Sequence, residues 1–257
     1  MTGMPSGRDD AFWNTLSSFG IEEVFALPEW VRELRGEPGG RPDPVNPAGI
    51  AAAPSAPREC GVAPVGVREG MAALRERVGD CRACRLEAGR NLLVFGAGNP
   101  GSGIVFVGEG PGANEDQTGE PFVGRAGQLL DRIMAAIGLD RSNSYITNIV
   151  KCRPPENRTP SPDESAACRW ILEEQIRIMA PGVIVALGAP AARTLTGSRE
   201  GIGKLRGVWH RYGDIPVLAT YHPAALLRTE ALKRPVWDDM KNLKVLLGEL
   251  GLPRTER

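Results

Sequence analysis

An apolar run, Ile104-Val-Phe-Val107, gives way at Gly108 to the segment Gly108-Glu-Gly-Pro-Gly-Ala-Asn-Glu-Asp-Gln-Thr-Gly-Glu-Pro-Phe-Val-Gly-Arg-Ala-Gly127. Beyond it, Leu129, Leu130, Ile133, Met134 and Ile137 recur at helical spacing. A buried strand that ends in a glycine-rich loop and resumes as a helix is the repeating unit of a layered α/β fold. Glycines there let the backbone approach a ligand closely and offer free N–H donors at a helix start. The loop also carries the carboxylates Glu109, Glu115 and Asp116 and one lone aromatic, Phe122. Acid groups beside an aromatic face suit a nucleobase and a developing positive charge better than they suit a phosphate.

The same alternation extends along the chain. Strand candidates stand at Leu92–Phe95, Ile104–Val107, Tyr145–Val150, Val183–Leu187 and Val217–Thr220. Helical patterns lie at Met71–Val78, Gly124–Ile137, Pro162–Met179, Pro190–Leu195 and Val236–Leu247. Short β-rich runs between helices predict an α/β three-layer sandwich, its central sheet mostly parallel and flanked by helices on both faces. Ser161, Pro162 and Glu164 form a helix-start signal, an S-x-x-E box with proline in the first turn. In such sheets ligands bind beyond the carboxyl ends of the strands. Three loops leave there: Gly108–Gly127, Asn148–Pro160 and Tyr221–Arg228. His222, one of two histidines, follows a strand at that rim, and Asn148 ends another; His210 reads as structural.

At 257 residues the chain is long enough for one sizeable α/β domain plus an appendage. Its 31 basic residues balance 31 acidic ones, which argues against a generic polyanion binder but not against a local basic face. No apolar stretch approaches the roughly 20 residues of a membrane span, and the N-terminus lacks the apolar core of a secretory signal. A cytoplasmic protein, associated with the nucleoid and monomeric, is the expectation. Residues 1–37 form an amphipathic, aromatic-rich segment, either a tethered helix for a protein partner or a cap on the main domain. Residues 38–66 are a Pro/Gly/Ala-rich linker, and 67–257 the main domain. Of five cysteines, Cys60 stands alone in the linker. In a reducing compartment Cys81, Cys84, Cys152 and Cys168 read as a four-thiolate metal site, or Cys152 and Cys168 as ordinary buried cysteines. Their spacing does not separate zinc from an iron–sulfur cluster.

Several motifs together carry a resemblance. They are Gly108-Glu-Gly-Pro-Gly112, Glu115-Asp116, Pro121-Phe-Val-Gly124, Asn148-Ile-Val-Lys-Cys-Arg-Pro-Pro155 with Asn157-Arg158, and His222-Pro223 with Leu226-Leu227-Arg228. In this order they closely resemble the family 4 uracil-DNA glycosylases, from about Val67 to the end. The resemblance implies a [4Fe–4S] cluster on Cys81, Cys84, Cys152 and Cys168, and uracil-containing DNA as the substrate. It implies hydrolysis of the uracil N-glycosidic bond after the nucleotide is flipped out. Phe122 would stack on the base and Asn148 would read its edge, rejecting cytosine, whose donor and acceptor are reversed. His222 would donate to uracil O2, and Glu109 would orient water, with Glu115 or Asp116 in reserve; Gly108 and Gly110 would line the base. Leu226 would fill the gap in the duplex, while Arg153, Arg158, Arg228, Lys233 and Arg234 would contact phosphates.

Two departures from better-known related families stand out: they place an aspartate at the position of Gly110 and a tyrosine at that of Gly112. Glu115 is the candidate to fill the space of a thymine methyl. A close subgroup binds uracil-DNA covalently through a histidine, but Lys151–Pro160 contains none. A non-catalytic module associated with replication is the rival class, and the intact Glu109, Phe122, Asn148 and His222 set speaks against it. A Rossmann-type enzyme would need a fuller glycine fingerprint than Gly108-Glu-Gly110.

Overall fold

The computed structural model describes residues 65–252, so the segment 1–37, nearly all of the linker and Cys60 lie outside the described residues. Helix α1 (Val65–Val78) leads through a 3-10 turn at Arg85–Gly89 into strands β1 (Ala97–Gly98) and β2 (Ile104–Gly108). Then come α2 (Ala113–Thr118), α3 (Arg125–Ala135), β3 (Tyr145–Asn148), α4 (Pro162–Met179), β4 (Val183–Leu187), α5 (Ala189–Thr196) and α6 (Ile202–Leu205). Strands β5 (Trp209–Tyr212) and β6 (Ile215–Thr220) precede α7 (Pro223–Arg228) and α8 (Lys233–Glu249).

The strands form one sheet in the order β1-β3-β2-β4-β6-β5. The four inner strands are parallel, and the two edge strands pair antiparallel. The two-residue pleat divides β2 between two cores. Ile104 and Phe106 pack with α3, α7 and α8, while Val105 and Val107 pack with α1, α4 and α5. That is the expected three-layer sandwich, and it explains why the inner strands are apolar without alternation: both faces are covered. At α4 the cap forms as read, Ser161 Oγ accepting from Glu164 N at 3.3 Å and Glu164 accepting from Ser161 N at 2.8 Å. Such a cap contributes about 1 kcal/mol.

Some elements differ from expectation. Leu92–Phe95 is not a strand, although Val94 N donates to Lys151 O at 2.8 Å. The edge strand is the two residues after it, and Gly96, at φ +141°, turns the chain between them. β5 has half-buried and exposed side chains, so no apolar run announces it. The short helices α2, α6 and α7 each span too few turns for a periodicity to emerge. Among the described residues no helix is long and apolar enough to cross a membrane.

Candidate active site

Strands β2 and β4 are neighbours, but the chain leaves β2 toward β3 and leaves β4 toward β6. This reversal opens a crevice at their carboxyl ends. In the parallel register Gly108, the last residue of β2, stands opposite Asn148, the last of β3. A Cβ at Gly108 would lie 2.4 Å from Asn148 Oδ1 and 2.5 Å from Phe122 Cζ. Glycine is therefore the only residue that lets the amide and the ring meet over one floor. Asn148 is 1% exposed, and its Oδ1 has no hydrogen-bond partner among the described residues. An acceptor left so costs about 1–3 kcal/mol, which a ligand donor can recover.

Phe122 is buried, with φ +56°, and its ring centroid lies 5.5 Å from that of His222 at an interplanar angle of 31°. His222 caps α7, its Nδ1 accepting from Ala224 N at 3.1 Å. Burial pushes its pKa down to about 4, helped by the nearby Arg228 charge and opposed by Glu115. At neutral pH the imidazole is thus uncharged, and with Nδ1 engaged as acceptor its proton sits on Nε2. The aromatic ring thus links the amide and the imidazole at one rim of the sheet. His210 bonds Leu205 O through Nε2 at 2.7 Å, a structural contact.

The carboxylates divide. Glu115 accepts from Gly112 N (3.0 Å), Val123 N (2.9 Å) and Gly124 N (2.8 Å), so it clasps the two ends of the loop together. A Cβ at Gly112 would lie 2.7 Å from its Oε2, so Glu115 takes the space a larger residue at 112 would need. Asp116 is buried and accepts from Asn91 N at 2.9 Å and Asn91 Nδ2 at 2.6 Å. Both of its oxygens are thus engaged by Asn91, which ties the start of the loop to the segment before β1. Glu109 is half-buried, and among the described residues its carboxylate has no partner. Of Glu109, Glu115 and Asp116 it is the one whose oxygens the described residues do not engage. A Cβ at Gly110 would come within 2.9 Å of Val150 Cγ2, so Gly110 supports the loop from behind.

Leu226 is 3% exposed and packs into the core beneath α7, so it has no free side chain to offer a duplex. Leu227, one residue on, is 42% exposed and is the leucine of this helix that faces outward. Arg228 and Arg234 are exposed, and Arg153 is half-buried with Nε bonded to Asn157 Oδ1 at 2.8 Å. Arg158 is committed to buried Glu164 through two bonds of 2.7 and 2.8 Å, and Lys233 pairs with Glu230 at 2.7 Å. Arg158 is therefore a brace for the loop, not a loose phosphate contact.

Cys81, Cys84, Cys152 and Cys168 line one recess, together with Leu93, Lys151 and Ile171. Among the described residues no group of three or more His, Cys, Asp or Glu is set to hold a metal ion, and the four thiols are free. Arg90 donates to Cys152 Sγ at 3.1 Å and to Cys81 O at 2.7 Å, and the Lys151 amide donates to Cys168 Sγ at 3.3 Å. Lys151 escaped the sequence reading. Its wholly buried ammonium donates to Thr147 Oγ1 (2.6 Å), Gln175 Oε1 (2.7 Å) and Asn148 O (2.8 Å). Burial pushes its pKa down to about 7. A lysine directly behind the apolar pair Ile149-Val150, at the end of a strand candidate, was the available signal.

A family model described as the uracil DNA glycosylase superfamily matches residues 95–241, more than half the chain. That span takes in Glu109, Phe122, Asn148 and His222. The type-4 uracil-DNA glycosylase of Thermotoga maritima is 47% identical over 187 residues, which is 70% of this chain and 96% of that protein. Its counterpart in Archaeoglobus fulgidus is 42% identical over 177 residues, or 66% of this chain and 89% of that one. A type-5 uracil-DNA glycosylase of Thermus thermophilus is more distant, 34% identical over 167 residues. With Phe122, Asn148 and His222 gathered at the switch point and these matches in agreement, the chain belongs to the uracil-DNA glycosylase superfamily, and within it to the type-4 uracil-DNA glycosylases.

Proposed function

We propose that this protein is a uracil-DNA glycosylase of DNA repair that flips uracil out of DNA and hydrolyses its N-glycosidic bond, leaving an abasic site. The observation that carries this reading is the orphaned, buried Asn148 Oδ1 beside the Phe122 ring, which in turn lies against a neutral His222. Uracil N3–H supplies the missing donor, and the Asn148 amide N–H donates to O4. Cytosine, with an acceptor at N3, leaves Oδ1 unpaired and is rejected by roughly 1–3 kcal/mol per mismatched group. Phe122 stacks on the base. As the N1–C1′ bond breaks, its electron pair moves onto uracil, and His222 Nε2–H donates to O2, where the charge collects. The water oxygen bonds to C1′ and its proton passes to Glu109, whose negative charge also steadies the cationic sugar. Glu115, held in place by its three backbone bonds, closes the side where a thymine methyl would enter. Leu227 fills the gap in the stack, and Arg153, Arg228 and Arg234 meet phosphates.

The recess of four cysteines suits a [4Fe–4S] cluster on Cys81, Cys84, Cys152 and Cys168: the thiols come from three separate segments, and N–H···S bonds from Arg90 and the Lys151 amide already support two of them. When bound, the cluster would tie the segment after α1 to the 152–168 stretch as a structural cross-link. Iron and acid-labile sulfide in the purified protein, with a visible absorption lost in Cys168→Ser, are expected; metal-free protein of full stability would exclude it. The activity itself is tested by incubating a uracil-containing oligonucleotide and cleaving with alkali. Strand scission at uracil, absent with Asn148→Ala, supports the reading; an intact strand with the wild-type protein rejects it.

A further inference from the structure

Phe122 holds a left-handed backbone conformation, φ +56°, that a bulky aromatic adopts only where its surroundings impose it. The peptide groups after it are held by Glu115 through Val123 N and Gly124 N. The carbonyls on either side of its Cα are held from elsewhere in the chain. Arg141, between α3 and β3, donates from Nη1 to Pro121 O at 3.0 Å and from Nη2 to Phe122 O. Its Nε donates to Asp131 Oδ1 at 2.9 Å, on α3. A Cβ at Gly127 would lie 1.6 Å from Phe122 O, so the first turn of α3 is glycine where that carbonyl must enter. One planar guanidinium thus spans two successive carbonyls and one carboxylate, a fork that a lysine cannot reproduce. Every bond of Arg141 runs to the backbone around Phe122 or to Asp131, so it reaches the base-binding hollow only through the aromatic ring.

We propose that Arg141 is a positioning residue for base excision, locking the Phe122 carbonyl so that the ring stands ready beside His222 and Asn148. The proposal rests on the reading of the site as one that excises uracil. It is tested with the full-length, cluster-loaded protein by single-turnover release of uracil from a single-stranded oligonucleotide. Arg141→Ala is expected to slow that step by about tenfold to a hundredfold, the scale of a small misplacement of a reacting group. Arg141→Lys should recover only part of the loss. Added ethylguanidinium should restore part of the rate to Arg141→Ala and none to the wild type, a rescue that a general loss of stability would not show. Because Arg141 acts through the ring, Phe122→Ala combined with Arg141→Ala should be no slower than Phe122→Ala alone. An Arg141→Ala protein that excises at the wild-type rate overturns the proposal, as does a double variant slowed by the full product of both losses. If Arg141→Ala does not fold, Asp131→Asn takes its place, since it loosens the guanidinium but leaves the carbonyl bonds. A severalfold slower rate supports the proposal and an unchanged rate overturns it. A wild-type protein that releases no uracil would overturn the functional reading itself, a result distinct from any of these.

Discussion

Acidification should spare the chemical step far below the point where a histidine normally gains its charge. The His222 imidazole is pushed from 6.5 to about 4 by burial, with Arg228 adding to the effect. At pH 5.5 only about 3% of such a ring is protonated, against about 90% of an ordinary one. The single-turnover rate should therefore stay flat with respect to His222 from pH 8 to about pH 5. Replacing His222 by alanine removes the O2 donor and should lower that plateau by about 10²–10³. The same feature has a cost in stability whose sign is fixed. Between pH 6.5 and 4 the unfolded chain binds a proton that the folded chain refuses, so stability falls as pH drops through that window. The loss approaches about 3 kcal/mol at most, and less to the extent that water reaches the half-buried ring. His222→Ala should therefore lose less stability than the wild type between pH 7 and pH 4.5, read by thermal melting at both pH values. An acid limb in the wild-type rate centred near pH 6.5, absent from the residual activity of His222→Ala, would refute the neutral-donor argument.

Other residues give further outcomes. Glu115→Gln removes an acceptor from a clasp of three N–H groups and should cost about 1–3 kcal/mol, seen as a lower melting temperature. Release of thymine by Glu115→Ala or Glu115→Gly would show that the clasp also guards the methyl side; unchanged selectivity would leave it a loop brace. Leu226→Ala should cost about 2–5 kcal/mol because its side chain is core. Leu227→Ala should melt normally yet excise uracil more slowly from duplex than from single-stranded DNA, and equal slowing on both would remove it as the wedge. Lys151→Met strips the donors from Thr147, Gln175 and the Asn148 carbonyl. It should lower the melting temperature and weaken uracil discrimination together, measured on paired uracil and cytosine oligonucleotides.

The layered fold was legible because its inner strands are uninterrupted apolar runs and its long helices repeat for several turns. The rim was legible too: Gly108, Asn148 and His222 each end or follow a strand candidate, and parallel pairing brings those ends together. What escaped depends on contacts between distant residues. Nothing near Arg158 announces that a glutamate six residues on will claim its guanidinium, nor does Arg141 resemble a partner for Phe122. Which leucine of α7 faces outward was not legible, because the helix is six residues long, too short to show an inward side. Glu115 was read as chemistry because its capping partner is Gly112, which lacks the hydroxyl that normally marks such a box.

Helix α7 joins two tasks in a body barely two turns long. Its cap is the imidazole, its inward side is nailed to the core by Leu226, and its outward side presents Leu227. Such a piece moves as a lever or not at all. In the proposed reaction the contact with the stack and the donor to the departing base therefore sit at one fixed separation, set by the helix and not by the substrate.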